Sequence, residues 1–224
     1  QACDWSSDVC SSDLIGIIPG VEISAGGENE VHILGYGIRG SMKKLHALLQ
    51  EMRHEREERF QRMIQKLQEL GLSIDRDEIA SPQADSLGRV HIGRALVKKG
   101  LADSVFDAFE KYLSPGRPGY VPRPKRKVSQ VVRLLREEGA VSVIAHPGLL
   151  KMEPEDVRLL LNEWKDNGLM GLEAYHPAHL PDMVKTWDHL ARKCGLLVTG
   201  GSDFHGQDGR HMDIGAMLPY WAAV

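Results

Sequence analysis

The spacing of apolar and polar residues predicts short strands and longer helices along most of the chain. Compact apolar runs are typical of buried strands, and they cover residues 15–18, 21–24, 31–36, 141–145, 169–175 and 196–199. Apolar residues recurring every three or four positions predict helices, which cover residues 41–70, 91–99, 128–138, 154–167 and 181–193. A further helix is expected to end at Leu113, with Asp103 or Ser104 as its N-cap. Strands that alternate with helices indicate an α/β fold with a mainly parallel sheet.

The long helix predicted at residues 41–70 interrupts the alternation of strands and helices and suggests a separate domain. We expect residues 38–116 to form a helical insertion, and a connector rich in Pro and Gly, residues 114–125, to return the chain to the core. The core would then comprise residues 15–37 and 117–224. Residues 1–14 are expected to be foreign or disordered, because residues 4–14 are aperiodic, repeat a Ser-Ser-Asp triplet and resemble a translated sequencing adapter.

Composition narrows the class of protein. The chain has 28 basic and 31 acidic residues, and setting aside Asp4, Asp8 and Asp13 leaves 28 against 28. A neutral chain argues against a duplex-DNA or membrane-surface binder, and no apolar run reaches the ~20 residues of a membrane span. Outside the first fourteen residues Cys194 is the one cysteine. A reducing, cytoplasmic setting is therefore expected.

Ionisable side chains lie within or directly after the predicted strands. The clearest case is Gly201-Ser202-Asp203-Phe204-His205, which follows the strand at 196–199. Strand ends form the crevice in which α/β enzymes do their chemistry, and carboxylates with neutral imidazoles suit a transition-metal hydrolase. The candidate metal ligands are Glu22, His32, His146, Asp203 and His205.

Other residues are candidates for contact with an anion. His91 and Arg94 open a predicted helix, where backbone N–H groups and a guanidinium can hold a phosphate together. His176 follows the strand at 169–175, and residues 123–127 form a basic stretch. Each has an ordinary alternative, since such residues also serve as packed histidines or as solvated turns.

Taken together, four motifs resemble the PHP (polymerase and histidinol phosphatase) family. They are Gly20-Val21-Glu22-Ile23-Ser24, Glu30-Val31-His32-Ile33-Leu34-Gly35, Ala145-His146-Pro147 and Gly201-Ser202-Asp203-Phe204-His205. Their order, the helical insertion and a Gly119-Tyr120-Val121-Pro122 return also match. The resemblance is to stand-alone phosphoesterases that act on 3′,5′-nucleoside bisphosphates or on short 5′-phosphorylated RNA.

The resemblance implies a distorted (β/α)7 barrel with three divalent metal ions at the strand ends. Manganese is favoured, with iron, zinc or magnesium as alternatives. It implies that Glu22 bridges metals and that Glu22, His146, Asp203 and His205 act in catalysis. The residues that it assigns to the substrate are His91, Arg94, Tyr120, Arg123, Lys125 and His176.

The sequence departs from the family pattern at its start. The family opens with a His-x-His motif and an Asp-His pair, both of which would fall in the stretch occupied by residues 4–14. We therefore expect an incomplete metal site and little or no activity from the chain as written. The alternatives are a histidinol-phosphatase or C–N hydrolase of the same type, and a non-catalytic metal-binding or polymerase-associated module.

Overall fold

A computed structural model describes residues 17–26, 29–79 and 87–204. Residues 1–14, the first half of the strand expected at 15–18, and His205 lie outside these ranges. Within the described part, the chain divides into two compact units. One is a helical unit, His46–Pro124, and the other is a sheet unit formed by the chain on either side, Leu14–Leu45 and Lys125–Val224. The sequence-based prediction put the insertion at residues 38–116.

The sheet unit contains a mixed five-stranded sheet with helices packed on it, so the α/β class is confirmed. Its strands are β1 (Gly20–Gly26), β2 (Glu30–Tyr36), β3 (Val141–Ile144), β4 (Gly171–Tyr175) and β5 (Leu197–Gly200). Its helices are α5 (Val128–Glu137), α6 (Pro154–Asp166) and α7 (Pro181–Lys193). Residues 17 and 18 are not in a strand, because Pro19 offers no N–H with which to extend a ladder.

The strands run in the order β1-β2-β3-β4-β5, and the pairing is only half parallel. The β1–β2 and β2–β3 pairs are antiparallel, whereas β3–β4 and β4–β5 are parallel. The prediction of a mainly parallel sheet was therefore wrong for the first two strands. A short connection such as residues 27–29 can join only antiparallel strands, while α6 and α7 supply the crossovers that parallel strands need.

Apolar side chains on the covered faces hold the sheet unit together. Ile23, Ile33, Ile144 and Leu172 are fully buried in the strands. Helix α5 adds a buried stripe at three- and four-residue spacing, Val128, Val131, Val132 and Leu135. Because β1 and β2 alternate between buried and half-exposed positions, the opposite face of these strands is left for polar side chains.

The helical unit is built around a separate apolar core. Its helices are α1 (Lys43–Glu69), α2 (Arg76–Ile79), α3 (Arg89–Lys98) and α4 (Val105–Ala108), the last continued by a π-helical turn at Phe109–Leu113. Leu67, Ile92 and Leu96 are fully buried in this core. Ser104 caps α4 by accepting the Asp107 N–H at 3.0 Å, as predicted. None of the helices described here is both long and apolar enough to cross a membrane.

Candidate metal centre

Glu22 and His32 lie on the same face of the β1–β2 hairpin, opposite the buried Ile23 and Ile33. Glu22 pairs with Leu34, two positions beyond His32, so Glu22 and His32 are diagonal neighbours. Their side chains are in contact, with 2.7 Å between Nδ1 of His32 and Oε1 of Glu22. Each is about a third exposed, at 32% and 31%, so solvent and ligands can reach the pair.

His146 brings a third side chain to this pair from the end of β3. The adjoining strands align because the Ala145 N–H donates to the His32 carbonyl at 3.0 Å. His146 then has a φ of 28° and a ψ of 59°, a left-handed conformation that is unfavourable for a residue with a Cβ atom. Its Nε2 lies 3.2 Å from Nδ1 of His32 and 3.4 Å from Oε1 of Glu22.

The resulting cluster, which we call the Glu22–His32–His146 trio, fits a divalent metal ion. Each residue offers one ligand atom, and these atoms all lie within 4.8 Å of one another. Two imidazole nitrogens and one carboxylate oxygen suit manganese, iron or zinc. Nδ1 of His146 is also buried and makes no hydrogen bond within the described part of the chain.

The trio is strongly coupled electrostatically. Hydrogen bonds from His146 and His32 hold the pKa of Glu22 well below its usual range. Hydrogen bonds to Glu22 and Glu30 raise the pKa of His32 from 6.5 to about 9. Without a metal ion, His32 therefore carries a proton at neutral pH. A bound cation would take the place of that proton, because a ligating imidazole must be deprotonated.

Glu173 is a buried carboxylate next to the trio that was not singled out in the sequence. It lies in β4, is 4% exposed, and accepts the backbone N–H of His146 at 2.8 Å. Burial raises its pKa, and the charges of Asp203 and Glu22 act in the same direction. Its sequence signal was present, because Glu173 is a lone carboxylate in an apolar strand, the same pattern that pointed to Glu22.

His176 and His179 continue the cluster beyond His146. The ring centroids of His146 and His176 are 5.3 Å apart, and those of His176 and His179 are 5.4 Å apart. Nδ1 of His176 accepts the Ala178 N–H at 3.1 Å. His176 is thus a buried neighbour of the trio, and its expected contact with a substrate stays a prediction.

Of the other two predicted metal ligands, Asp203 lies within the described part of the chain and His205 does not. Asp203 follows β5 with a φ of 52°, and its charge reaches Glu173. It is not one of the three residues whose ligand atoms converge. His205 lies outside the described residues, so its expected role as a ligand stays a prediction.

His91 and Arg94, the two anion contacts expected on α3, have different surroundings. Nδ1 of His91 accepts the Gly88 N–H at 3.2 Å, so this side of the ring satisfies the backbone at the start of its own helix. Arg94, one turn further on, is exposed. The predicted helix is present as α3 (Arg89–Lys98), and Arg94 supplies an exposed positive charge one turn after its start.

Two arginines of the helical unit lie near the Tyr120 ring. The guanidinium carbons of Arg59 and Arg89 lie 5.8 Å and 5.9 Å from the centre of the Tyr120 ring, within the range of cation–π attraction. Burial and the nearby charge of Arg123 lower the pKa of Arg56. Tyr120 therefore lies beside two cations, and Arg123 is close enough to a third, Arg56, to affect its pKa. Lys125 is exposed and belongs to the sheet unit.

Comparison with curated proteins identifies relatives, although no protein-family model matches the chain. Over 207 residues it is 34% identical to the 3′,5′-nucleoside bisphosphate phosphatase of Chromobacterium violaceum, covering 90% of this chain and 72% of that protein. Over 195 residues it is 31% identical to the 5′-3′ exoribonuclease Rnm of Escherichia coli, covering 85% and 66%. Over 218 residues it is 30% identical to a phosphoribosyl 1,2-cyclic phosphate 1,2-diphosphodiesterase of Eggerthella lenta, covering 92% and 79%.

Two solved structures share the fold. An amidohydrolase from Chromobacterium violaceum, with bound sulfate and no metal, superposes with a TM-score of 0.76 at 31% identity, covering 90% of this chain and 71% of that one. A structure from Bifidobacterium adolescentis, described as a metal-dependent phosphoesterase, gives a TM-score of 0.74 at 28% identity, covering 91% and 73%.

The fold, the trio of possible metal ligands and these relatives together define a hydrolase of phosphate esters. The chain belongs to the PHP family of phosphoesterases, in the branch that includes the 3′,5′-nucleoside bisphosphate phosphatase and the 5′-3′ exoribonuclease Rnm. The resemblance seen in the four sequence motifs is thus confirmed.

Proposed function

We propose that this protein hydrolyses phosphate esters of nucleotides with the help of divalent metal ions, manganese being favoured. Its substrate would be a 3′,5′-nucleoside bisphosphate or a short 5′-phosphorylated RNA, as the names of its relatives suggest. The observation that carries the proposal is the convergence of Glu22, His32 and His146 within 4.8 Å. The sulfate in the Chromobacterium violaceum structure gives further support, since sulfate is a tetrahedral oxyanion like phosphate.

The residues would divide the chemistry between them. Metal ions bound here would lower the pKa of a water ligand and neutralise charge on the phosphoryl oxygens. Glu22, His32 and His146 would hold the metal, with Glu22 as the shared carboxylate. Asp203 and His205 would add ligands from the end of β5. The partly exposed Glu22–His32 pair would let water and substrate reach the site.

We further propose that the whole fold is a distorted (β/α)7 barrel with three metal ions, into which the helical unit is inserted. The cationic and aromatic residues would then bind a second phosphate or the RNA backbone. Support comes from Arg59 and Arg89 beside the Tyr120 ring, and from the electrostatic repulsion between Arg56 and Arg123. The proposed substrate contacts are His91, Arg94, Tyr120, Arg123, Lys125 and His176.

An assay of metal-dependent hydrolysis tests this function. The chain spans 66% to 79% of the length of the relatives named above. It is therefore assayed as given and also with the corresponding N-terminal segment of the Chromobacterium violaceum phosphatase added. We expect the extended form, once loaded with Mn²⁺, to release phosphate from a 3′,5′-bisphosphate or mononucleotides from 5′-phosphorylated RNA. Cleavage of amides without any cleavage of phosphate esters would instead favour a C–N hydrolase.

Replacing Arg94 tests the second phosphate contact. In the extended form, Arg94→Ala should raise KM for a bisphosphate about tenfold, the loss of one charge-assisted hydrogen bond. Hydrolysis of a nucleoside monophosphate should change much less. The matched control is Arg158→Ala, which removes a partly exposed arginine that pairs with Glu155 on α6. If Arg94→Ala and Arg158→Ala had the same KM and kcat for the bisphosphate, Arg94 would not contact a second phosphate.

A further inference from the structure

The turn that carries His146 is held by two buried side chains, neither of which belongs to the trio. This turn comprises His146 and the 3₁₀ turn Pro147–Leu149 that follows it. Glu173 accepts the N–H of His146 at 2.8 Å, and Nε2 of His179 accepts the N–H of Gly148 at 3.0 Å. Both acceptors come from β4 and the loop directly after it, so one neighbouring segment fixes two successive parts of the turn.

His179 is itself fixed in the protonation state that this contact requires. Its Nδ1 donates to the carbonyl of Ala174 at 2.8 Å, which leaves Nε2 as the acceptor for Gly148. There is no room for a side chain at this contact, because a Cβ atom on Gly148 would lie 2.8 Å from Nε2 of His179. His179 is thus a structural support for the turn.

The chain after β5 lies close to the other side of Glu173. The Gly201 N–H donates to the Tyr175 carbonyl at 3.0 Å, which brings Gly201 against β4. A Cβ atom on Gly201 would lie 2.7 Å from Oε1 of Glu173. A glycine at this position therefore leaves space for the carboxylate, whose Oε2 faces His146.

We propose that Glu173 is a positioning residue for the metal site, which keeps the His146 backbone in its left-handed conformation and its imidazole directed at Glu22 and His32. The proposal rests on the proposed metal-dependent function. A backbone φ of 28° is unfavourable by itself, and such a conformation persists only when surrounding contacts stabilise it. A buried carboxylate that accepts the N–H of that residue is the contact best placed to do so. Glu173 would thus set metal affinity without binding the metal.

Metal binding by the chain as given tests the proposal, with the metal-free protein titrated with Mn²⁺ in a calorimeter. Glu173→Ala should weaken Mn²⁺ binding by about 10- to 100-fold, the usual effect of losing a group that orients a metal ligand. Glu173→Gln keeps an oxygen acceptor for the His146 N–H and should restore affinity to within the same order of magnitude as the unsubstituted chain. The amide proton of His146 should shift upfield in Glu173→Ala and not in Glu173→Gln, as seen by NMR.

A destabilising variant outside the trio distinguishes a positioning role of Glu173 from a general loss of stability. Leu161→Ala removes a fully buried side chain of α6 and should lower the melting temperature without changing Mn²⁺ affinity. If Glu173→Ala does not fold, Gly201→Ala takes its place, because its Cβ would displace the carboxylate without removing it. Gly201→Ala should then weaken Mn²⁺ binding and shift the His146 amide proton.

Three results would overturn the proposal: unchanged Mn²⁺ affinity in a folded Glu173→Ala, unchanged affinity and amide shift in Gly201→Ala, or an equal loss in Glu173→Gln and Glu173→Ala. The last result would mean that the charge of Glu173 matters, as it would for a direct ligand. Failure of the proposed function looks different, because the chain would bind Mn²⁺ in a Glu173-dependent way and the extended form would still hydrolyse no phosphate ester.

Discussion

The sheet unit and the helical unit differ in where they keep their polar side chains. Among the described residues, the buried polar ones of the sheet unit are Ser142, His146, Glu173, His176 and His179, whereas Arg59 is the one in the helical unit. The helical unit instead has an uninterrupted apolar core around Leu67, Ile92 and Leu96. Its other cations lie closer to the surface.

Buried side chains therefore have different roles in the two units, hydrogen bonding in the sheet unit and apolar packing in the helical unit. Burying a polar group is unfavourable unless it is hydrogen-bonded, so buried groups of the sheet unit such as Glu173 and His179 have specific partners. Such a network holds metal ligands in defined positions. The core of the helical unit is apolar and needs few such hydrogen bonds. Substitutions in that core should therefore affect stability, whereas substitutions in the polar network of the sheet unit should affect metal binding.

The largest effect should come from the helical core. Leu67→Ala removes a fully buried side chain and should lower the free energy of unfolding by about 2–5 kcal/mol, measured by urea denaturation. Mn²⁺ affinity of the folded protein should not change. The matched control is Leu159→Ala, at a side chain 58% exposed, which should change stability by less than about 0.5 kcal/mol. A loss of Mn²⁺ affinity in folded Leu67→Ala would show that the two regions are not independent.

The next effect should come from the trio. His146→Ala removes one of its three converging ligand atoms and should weaken Mn²⁺ binding by more than about 100-fold, beyond the effect of losing a merely orienting group. Calorimetric titration of the metal-free chain measures this change. His54→Ala, at an imidazole 76% exposed on α1, is the matched control and should bind Mn²⁺ normally. Equal affinities in the two variants would remove His146 from the metal site.

The smallest effect should appear in the titration of His32. Glu22→Gln keeps an oxygen acceptor but removes the negative charge that favours the imidazolium, so the pKa of His32 should fall from about 9 toward 6.5. An NMR titration of the metal-free chain measures it. Glu30→Gln should lower the same pKa less, because Oε1 of Glu30 lies 3.7 Å from Nε2 of His32. A pKa near 9 in Glu22→Gln would mean that the pair does not form in solution.

The sequence alone determined most of the elements and pointed to five candidate metal ligands, three of which the structure brings together. The helix predicted at 181–193 coincides with α7 (Pro181–Lys193), because Pro181 suits the first helical position and the apolar positions repeat with the helical period. Glu22, His32 and His146 were found because each interrupts or follows an apolar strand. These signals are local. The repeat of a helix and the alternation of a strand both involve residues only a few places apart in the sequence.

Only the tertiary structure decided how those residues are supported. The hydrogen bond from His146 to Glu173 joins residues 27 positions apart. It depends on the register of β3 against β4, in which Ile144 aligns with Leu172. The antiparallel pairing of β2 with β3 and the role of His91 in satisfying its own helix start likewise depend on three-dimensional packing. Spacing along the chain identifies residues able to bind a metal, but which backbone groups and side chains meet across the sheet is set by strand register, and that register appears only when the chain is folded.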